Sequence, residues 1–127
     1  MKYYCDTNFI ICYLLGNNQD KLMKTKEIFE QIKTGKASLT LEQTVFAEIV
    51  FTLSLFYNVL NNKISELLAY RGVVCEDKDS LLLALSLYSN HEMGIVDCLL
   101  AAKAKMSNTE ILSYNQKLID CYQKESH

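Results

Sequence analysis

Residues 1–16 read MKYYCDTNFIICYLLG, and they contain the transition on which the fold depends. The segment from Lys2 to Cys5 is short and rich in aromatic residues, which predicts a core β-strand. The polar Asp-Thr-Asn that follows is typical of a helix start, and Thr7 to Leu15 is predicted to be helical. The helix is expected to end at Gly16-Asn17-Asn18. The chain therefore opens with a strand that leads directly into a helix.

The remainder of the chain continues this alternation of strands and helices. Further strands are predicted at Ala37–Leu41, Val73–Cys75 and Glu110–Ser113. Apolar residues that recur at helical spacing predict the other helices: Asp20 to Lys33, Glu42 or Gln43 to about Leu55, Asn58 to Tyr70 (one helix or a pair), Asp77 to about Ser89, Ile95 to Lys105, and about Gln116 to Lys124. Strands that are joined by helical crossovers form parallel sheets flanked by helices. We therefore expect one α/β domain over residues 1–127, with more helix than strand.

Three acidic residues interrupt strongly apolar stretches. They are Asp6 in MKYYCDTNFIICYLL, Glu48 in TVFAEIVFTLSLF and Asp97 in GIVDCLLAAKAK. Burying a charge without a partner is costly, so acids in core-forming segments are expected to be neutralised, paired or bound to a cation. The only arginine, Arg71, lies in a loop-like stretch. Three acids without a basic partner nearby in sequence indicate a shared divalent cation.

The predicted topology places two of the polar positions at one edge of the sheet. Asp6 follows the first strand and Asn115 follows the fourth predicted strand, and ligands of open parallel sheets bind beyond the carboxyl ends of the strands. Asp97 lies in the first turn of a predicted helix. Each aspartate also has a purely structural alternative: Asp6 as the N-cap of the first helix, and Asp97 as a charge that stabilises a helix start.

Glu48 lies in the middle of an apolar helix. Thr44 and Thr52 are one turn before and after it, so the three side chains form a narrow polar stripe that is predicted to face a cleft. The alternative is a structural role, in which a distant lysine or a backbone donor pairs with Glu48.

Composition excludes some classes of protein and leaves a nuclease possible. Half of the residues are hydrophobic and 22% are charged, which is typical of a globular protein. No apolar run reaches the roughly 20 residues needed to span a bilayer, and no secretory signal is recognisable, so a soluble, cytoplasmic protein is expected. A net charge of −2 argues against binding nucleic acid mainly through bulk positive charge. A nuclease with acids in its site remains compatible with that charge.

The five cysteines do not form a recognisable metal or disulfide pattern. They are scattered, without a C-x-x-C pair, and neither histidine has a partner at zinc spacing. We expect most of them to be small buried hydrophobic residues in a reducing compartment.

Four segments together resemble a known family. YYCDTNFII, VFAEIVFTL, GIVDCLLAAKA and ILSYNQKL resemble, in this order and over essentially the whole chain, the PIN domain family. Within that family they are similar to the small toxin ribonucleases of VapB–VapC type toxin–antitoxin pairs. The resemblance implies a three-layer α/β/α domain with a short central parallel sheet of about four strands. It also implies that Asp6, Glu48 and Asp97 hold Mg²⁺ or Mn²⁺ and hydrolyse RNA, which suits the preference of these cations for oxygen ligands.

The chain departs from the family pattern at its closing segment. The family usually places an acid after the last strand, where this chain has Asn115, and often a second acid where this chain has Lys117. Asparagine offers a carbonyl oxygen or positions a water, but it carries no charge, so a single weakly held ion or lower activity is expected. Asn8 and Ser113 match polar positions that line the family's site, and supporting roles are expected for them.

Two other functions compete with a toxin ribonuclease. One is a PIN-like domain without catalysis that binds RNA or protein, which the asparagine favours. The other is an unrelated doubly wound module that binds phosphate or resembles a receiver domain, although the chain lacks a glycine-rich phosphate loop. The expected partners are RNA, an antitoxin that covers the acidic cleft with a basic side chain, and a second copy of the chain. Phe51, Leu55, Phe56 and Tyr57 exceed what one helix face can bury, which indicates a surface for a homodimer or an antitoxin at some of them. The alternative is that this helix lies deep in the core.

Overall fold

The computed structural model describes residues 1–16, 19–57 and 62–125. These residues are mostly helical, with one small parallel sheet of three strands. The fold class predicted from the sequence, an α/β domain with a short parallel sheet, is thereby confirmed. The chain divides into two compact units, Met1–Glu76 and Asp77–His127. The prediction of a single domain over residues 1–127 stays a prediction.

The sheet lies in the first unit. Its strands are β1 (Lys2–Tyr4), β2 (Ser38–Thr40) and β3 (Val73–Val74), all parallel and in the order β1-β2-β3. Tyr3 pairs with Leu39, and Leu39 pairs with Val73. Leu39 is fully buried, as expected for the central strand of a parallel sheet that is covered on its faces.

Helices connect the three strands. The described helical elements of this unit are α1 (Thr7–Leu15), α2 (Gln19–Thr34), α3 (Gln43–Thr52), a π-helical turn (Leu53–Tyr57) and α4 (Asn62–Leu68). Gly16 ends α1 in the left-handed conformation, with its N–H donating to the carbonyl of Cys12 at 2.9 Å. Two predictions fall partly outside the described residues. They are the stop signal after α1, at positions 17–18, and the start of the helix predicted at Asn58–Tyr70, at positions 58–61.

Aromatic rings connect α1 to α2. The ring of Tyr13 stacks on that of Phe29 with centroids 4.0 Å apart, and Phe29 is fully buried. The Tyr13 hydroxyl forms a 2.6 Å hydrogen bond with the hydroxyl of Tyr70, beyond α4. These contacts hold α1, and with it the turn that carries Asp6, against the rest of the unit.

Gly72 allows the chain to enter β3. A Cβ atom at this position would lie 2.1 Å from the carbonyl oxygen of Ala37 and 2.6 Å from that of Ile32. The Gly72 N–H donates to the same Ile32 carbonyl at 2.8 Å, and the Gly72 carbonyl accepts from Leu39 at 2.7 Å. Only glycine fits here, because the backbones approach more closely than any side chain permits.

The second unit is helical. Its described helices are α5 (Lys78–Asn90), α6 (Ile95–Ser107) and α7 (Gln116–Glu125). Helix α6 packs against both α5 and α7, and its small residues Ala101, Ala102 and Ala104 are buried. Asp77 caps α5 through the Ser80 N–H, which lowers the pKa of the Asp77 carboxyl, since the hydrogen bonds from Ser80 favour its charged form.

The predicted fourth strand is wrong. Glu110–Ser113 has no regular secondary structure, and no strand of the described residues pairs with it. The Thr109 N–H bonds back to Ala104 at the end of α6, and Leu112 is 95% exposed. A single short segment without a hydrogen-bonding neighbour cannot hold a strand conformation, because ladder bonds stabilise strands in pairs. The sheet therefore has three described strands and not about four.

Within the described part of the chain, no helix has the length and apolar character that crossing a membrane requires.

Candidate active site

Asp6 is the N-cap of α1. Its Oδ1 accepts a hydrogen bond from the Phe9 N–H at 2.9 Å. This satisfies one of the backbone donors that a helix start leaves without a partner. The structural alternative considered for Asp6 is thus confirmed. The second oxygen, Oδ2, has no hydrogen bond within the described residues, and the side chain is exposed.

An open pocket of about 380 Å³ lies beside Asp6. Tyr3 and Tyr4 of β1 and Phe9 of α1 contribute to its wall. The carboxylate therefore borders space that a ligand could enter from solvent.

Glu48 lies on the outer face of α3. Thr44 and Glu48 are exposed and Thr52 is half-buried, whereas Phe46 and Ile49 of the same helix are buried. The three side chains thus lie on the solvent-accessible side of the helix, whereas the cleft that they are predicted to face stays a prediction. Helix α3 packs against α1, so the helices that carry Glu48 and Asp6 are neighbours within the first unit.

Asp97 and Asn115 meet in the second unit. The Asn115 Nδ2 donates to Asp97 Oδ2 at 3.2 Å. Asp97 lies in the first turn of α6, as the sequence predicts, and Asn115 immediately precedes α7. The structure thus brings together two of the predicted site residues that are 18 positions apart in sequence.

The three acids are not fully buried, although each lies in an apolar stretch. Asp6 and Glu48 are exposed and Asp97 is half-buried. The apolar stretches are buried through the opposite faces of their helices, where Ile10, Ile49 and Cys98 are at most 1% exposed. In a helix, residues next to each other in sequence face different sides. A cation is therefore not needed to offset burial of these charges, and the case for one rests on their lack of partners.

The supporting residues differ in what they contact. Ser113 Oγ accepts the backbone N–H of Asn115 at 2.9 Å, so it steadies the Asn115 backbone. Asn8 is exposed in the first turn of α1, close in sequence to Asp6. Glu42 was not expected at the site, yet it is an exposed acid directly after β2, at the same sheet edge as Asp6. The sequence could have indicated Glu42 as a site residue, because it directly follows the predicted strand Ala37–Leu41.

The thiols of two cysteines next to the aspartates are held in the protonated form. Burial, together with the nearby Asp6, raises the pKa of the Cys5 thiol. Burial, Cys121 and Asp97 raise the pKa of Cys98 to about 12. Both thiols are protonated at neutral pH, and the thiolate is the form that binds metals and attacks electrophiles. None of the five cysteines, all within the described residues, forms a disulfide; Cys98 and Cys121 are buried and the other three are half-buried.

The donor types suit a hard divalent cation. No basic side chain of the described residues pairs with Asp6, Glu48 or Asp97. Carboxylate oxygens are the ligands that Mg²⁺ and Mn²⁺ prefer. Within residues 1–16, 19–57 and 62–125, however, no three His, Cys, Asp or Glu side chains form a group that could hold a metal ion. Asp6 and Glu48 belong to one unit and Asp97 to the other.

Comparison with known proteins gives one match. The model of the PIN domain matches residues 3–123, which is nearly the whole chain. No curated protein and no solved structure matches the chain significantly.

Proposed function

This chain belongs to the PIN domain family, a nuclease fold whose members typically depend on metal ions, and we propose that it is a Mg²⁺- or Mn²⁺-dependent endoribonuclease. Its reaction would be hydrolysis of phosphodiester bonds in RNA. Asp6, Glu48 and Asp97 would be the catalytic acids, in one domain that spans residues 1–127.

One observation carries this proposal: three solvent-accessible carboxylates have no basic partner within the described residues. Asp6 and Asp97 each use one oxygen in a hydrogen bond that fixes the carboxylate, and the other oxygen of each has no hydrogen bond to the part of the chain that the structure describes. A carboxylate that is fixed by its neighbour and accessible to solvent is well suited to bind a cation.

Asp6, Glu48 and Asp97 would hold the ion, which when bound supplies a Lewis acid that activates water and offsets charge on the phosphate. The remaining chemistry belongs to the chain itself. The N-cap bond of Asp6 and the Asn115 contact of Asp97 orient two of the carboxylates. Asn8, in the exposed first turn of α1, would donate to a phosphate oxygen of the substrate.

The finer proposal is that the chain is the toxin of a toxin–antitoxin pair. It rests on the similarity of the four segments to VapC-type toxins. An antitoxin would cover the acids and supply a basic side chain to them, because carboxylates without a basic partner favour a cationic one. A complex in which the partner contacts only the opposite face would contradict this.

A second candidate is a PIN-like domain that binds RNA or protein without cleaving it. Asn115 favours this candidate, because it stands where the family usually has an acid. A site with one acid fewer has less charge to hold cations.

Turnover separates the two candidates. The purified chain is incubated with a mixed-sequence RNA in Mg²⁺, in Mn²⁺ and in either metal with excess chelator. We expect metal-dependent cleavage that the chelator abolishes. Intact RNA at high protein concentration with metal present, together with a measurable RNA affinity, would favour the binding module and contradict the nuclease.

A further inference from the structure

Three hydrogen bonds involve the side chain of Asn115 and its backbone N–H. Its Oδ1 accepts from the Lys117 N–H at 3.1 Å, and its Nδ2 donates to Asp97 Oδ2 at 3.2 Å. Its backbone N–H donates to Ser113 Oγ at 2.9 Å. Asn115 therefore joins the start of α7 to the first turn of α6.

These neighbours determine which way the amide points. The Lys117 N–H can only donate, so it requires the amide oxygen, and a carboxylate can only accept, so Asp97 requires the amide nitrogen. A flipped amide would place NH₂ against N–H and C=O against a carboxylate oxygen, both repulsive. The assignment of oxygen and nitrogen thus follows from the chemistry of the partners.

The carbonyl oxygen of Asn115 is already in use. It caps α7 by accepting the Lys117 N–H, which otherwise would have no partner in the first turn of the helix. Binding a cation through the second lone pair of this oxygen would weaken the cap, because the cation draws electron density from the atom that accepts the Lys117 N–H. The amide nitrogen, the other end of the side chain, has no lone pair available for a metal.

We propose that Asn115 is a positioning residue that holds the carboxylate of Asp97 and is not itself a metal ligand. The inference rests on the proposed metal-dependent function. It replaces the expectation that the asparagine contributes a carbonyl oxygen to the ion. With Oδ2 held by Asn115, Asp97 presents Oδ1 as the oxygen without a hydrogen bond in the described residues.

The neutral amide of Asn115 also avoids a repulsion that an acid would meet at this position. A carboxylate at this position would keep the α7 cap but face Asp97 Oδ2 across about the distance of a hydrogen bond, and the two like charges would repel. Asparagine joins α6 to α7 whether or not a cation is present. The second unit therefore does not depend on metal to bring α7 to Asp97.

Asn115→Ser tests the positioning role. Serine is a good N-cap, so α7 keeps its cap, but its side chain is too short to reach Asp97. We expect the variant to have the melting temperature of the wild type. Its affinity for Mn²⁺, measured by calorimetric titration, should be about 10- to 100-fold lower, as is usual when a residue that orients a metal ligand is removed. Gln116→Ala is the matched control, because it removes a hydrogen bond to Asp120 on the same helix and leaves Asp97 untouched.

A second measurement tests whether Asn115 becomes a ligand. Hydrogen exchange of the Lys117 amide is followed by NMR in the wild type, without metal and with saturating Mg²⁺. Protection that is unchanged by Mg²⁺ supports positioning, because a cation on the same oxygen would weaken the cap bond and lower the protection. Protection that is lost on saturation would overturn it.

The outcomes distinguish this inference from the function on which it rests. Equal Mn²⁺ affinities of the wild type and Asn115→Ser would overturn the positioning role and leave the metal-dependent function standing. A wild type that binds no Mn²⁺ would overturn both.

Discussion

The carboxylate of Asp6 accepts the Phe9 N–H with Oδ1 and leaves Oδ2 exposed to solvent. Capping and cation binding therefore use different oxygens of the same side chain. The two roles, which the sequence presents as alternatives, are compatible at this residue. Two substitutions separate the roles: one removes the charge and keeps the cap, and the other removes both.

Asp6→Asn is expected to remove activity while it preserves the fold. Asparagine caps helices as well as aspartate does, so thermal stability should stay near that of the wild type. Cleavage of RNA should fall about 100-fold or more, because one charged group of the site is lost. Asp6→Ala should lose activity and, in addition, about 1 kcal/mol of unfolding free energy, measured in urea. An Asp6→Asn variant that cleaves RNA at the wild-type rate would contradict the catalytic role.

What the sequence could predict at the residue scale was local. The strand-to-helix transition at Asp6 and the place of Asp97 in a first turn follow from neighbouring residues, and both are confirmed. Exposure of the acids was not predicted, because an apolar stretch reveals its buried face only once its helix is packed. The contact of Asp97 with Asn115 joins the starts of two helices, and local sequence patterns do not contain the geometry that joins them.

At the scale of the element, α3 has one apolar face in the core and apolar side chains exposed to solvent on another. Phe46 is fully buried, whereas Phe51 is 55% and Leu55 of the following π-helical turn 61% exposed. Part of the apolar surface predicted for a protein partner is thus exposed, while the side chains of Phe56 and Tyr57 lie outside the described residues. A homodimer or antitoxin contact at Phe51 and Leu55 remains our proposal.

The two phenylalanines of α3 should respond differently to truncation. Phe46→Ala should cost about 3–5 kcal/mol of unfolding free energy, since it leaves a cavity in the core. Phe51→Ser should change stability by no more than about 0.5 kcal/mol, because the side chain is largely exposed. It should instead weaken self-association or antitoxin binding, measured by sedimentation equilibrium of the chain with and without its partner. An unchanged assembly in Phe51→Ser would contradict the proposed surface.

Most elements were predictable because their signals are periodic and long. Helix α1 begins and ends at the predicted residues, and the predicted strands Lys2–Cys5, Ala37–Leu41 and Val73–Cys75 each contain a shorter observed strand. The segment Glu110–Ser113 failed because a strand requires a neighbour, and composition alone cannot supply one. Short strands are therefore the least secure part of such a prediction.

At the scale of the molecule, the three proposed catalytic acids lie far apart in the sequence. Asp6 and Glu48 belong to Met1–Glu76, and Asp97 belongs to Asp77–His127. The central claim is that these acids act on one RNA phosphodiester as a single group. Groups that act as a unit show strongly non-additive effects when they are removed together.

The most direct test is a double-mutant cycle across the two units. RNA cleavage rates are compared for the wild type, Asp6→Asn, Asp97→Asn and the double variant in saturating Mn²⁺. Glu27→Gln and Asp120→Asn serve as controls, with an exposed acid removed from each unit. We predict that each single substitution lowers the rate about 100-fold or more and that the double variant is no slower than the slower single one. Losses that multiply in the double variant, or a single variant that keeps the wild-type rate, would contradict a shared site.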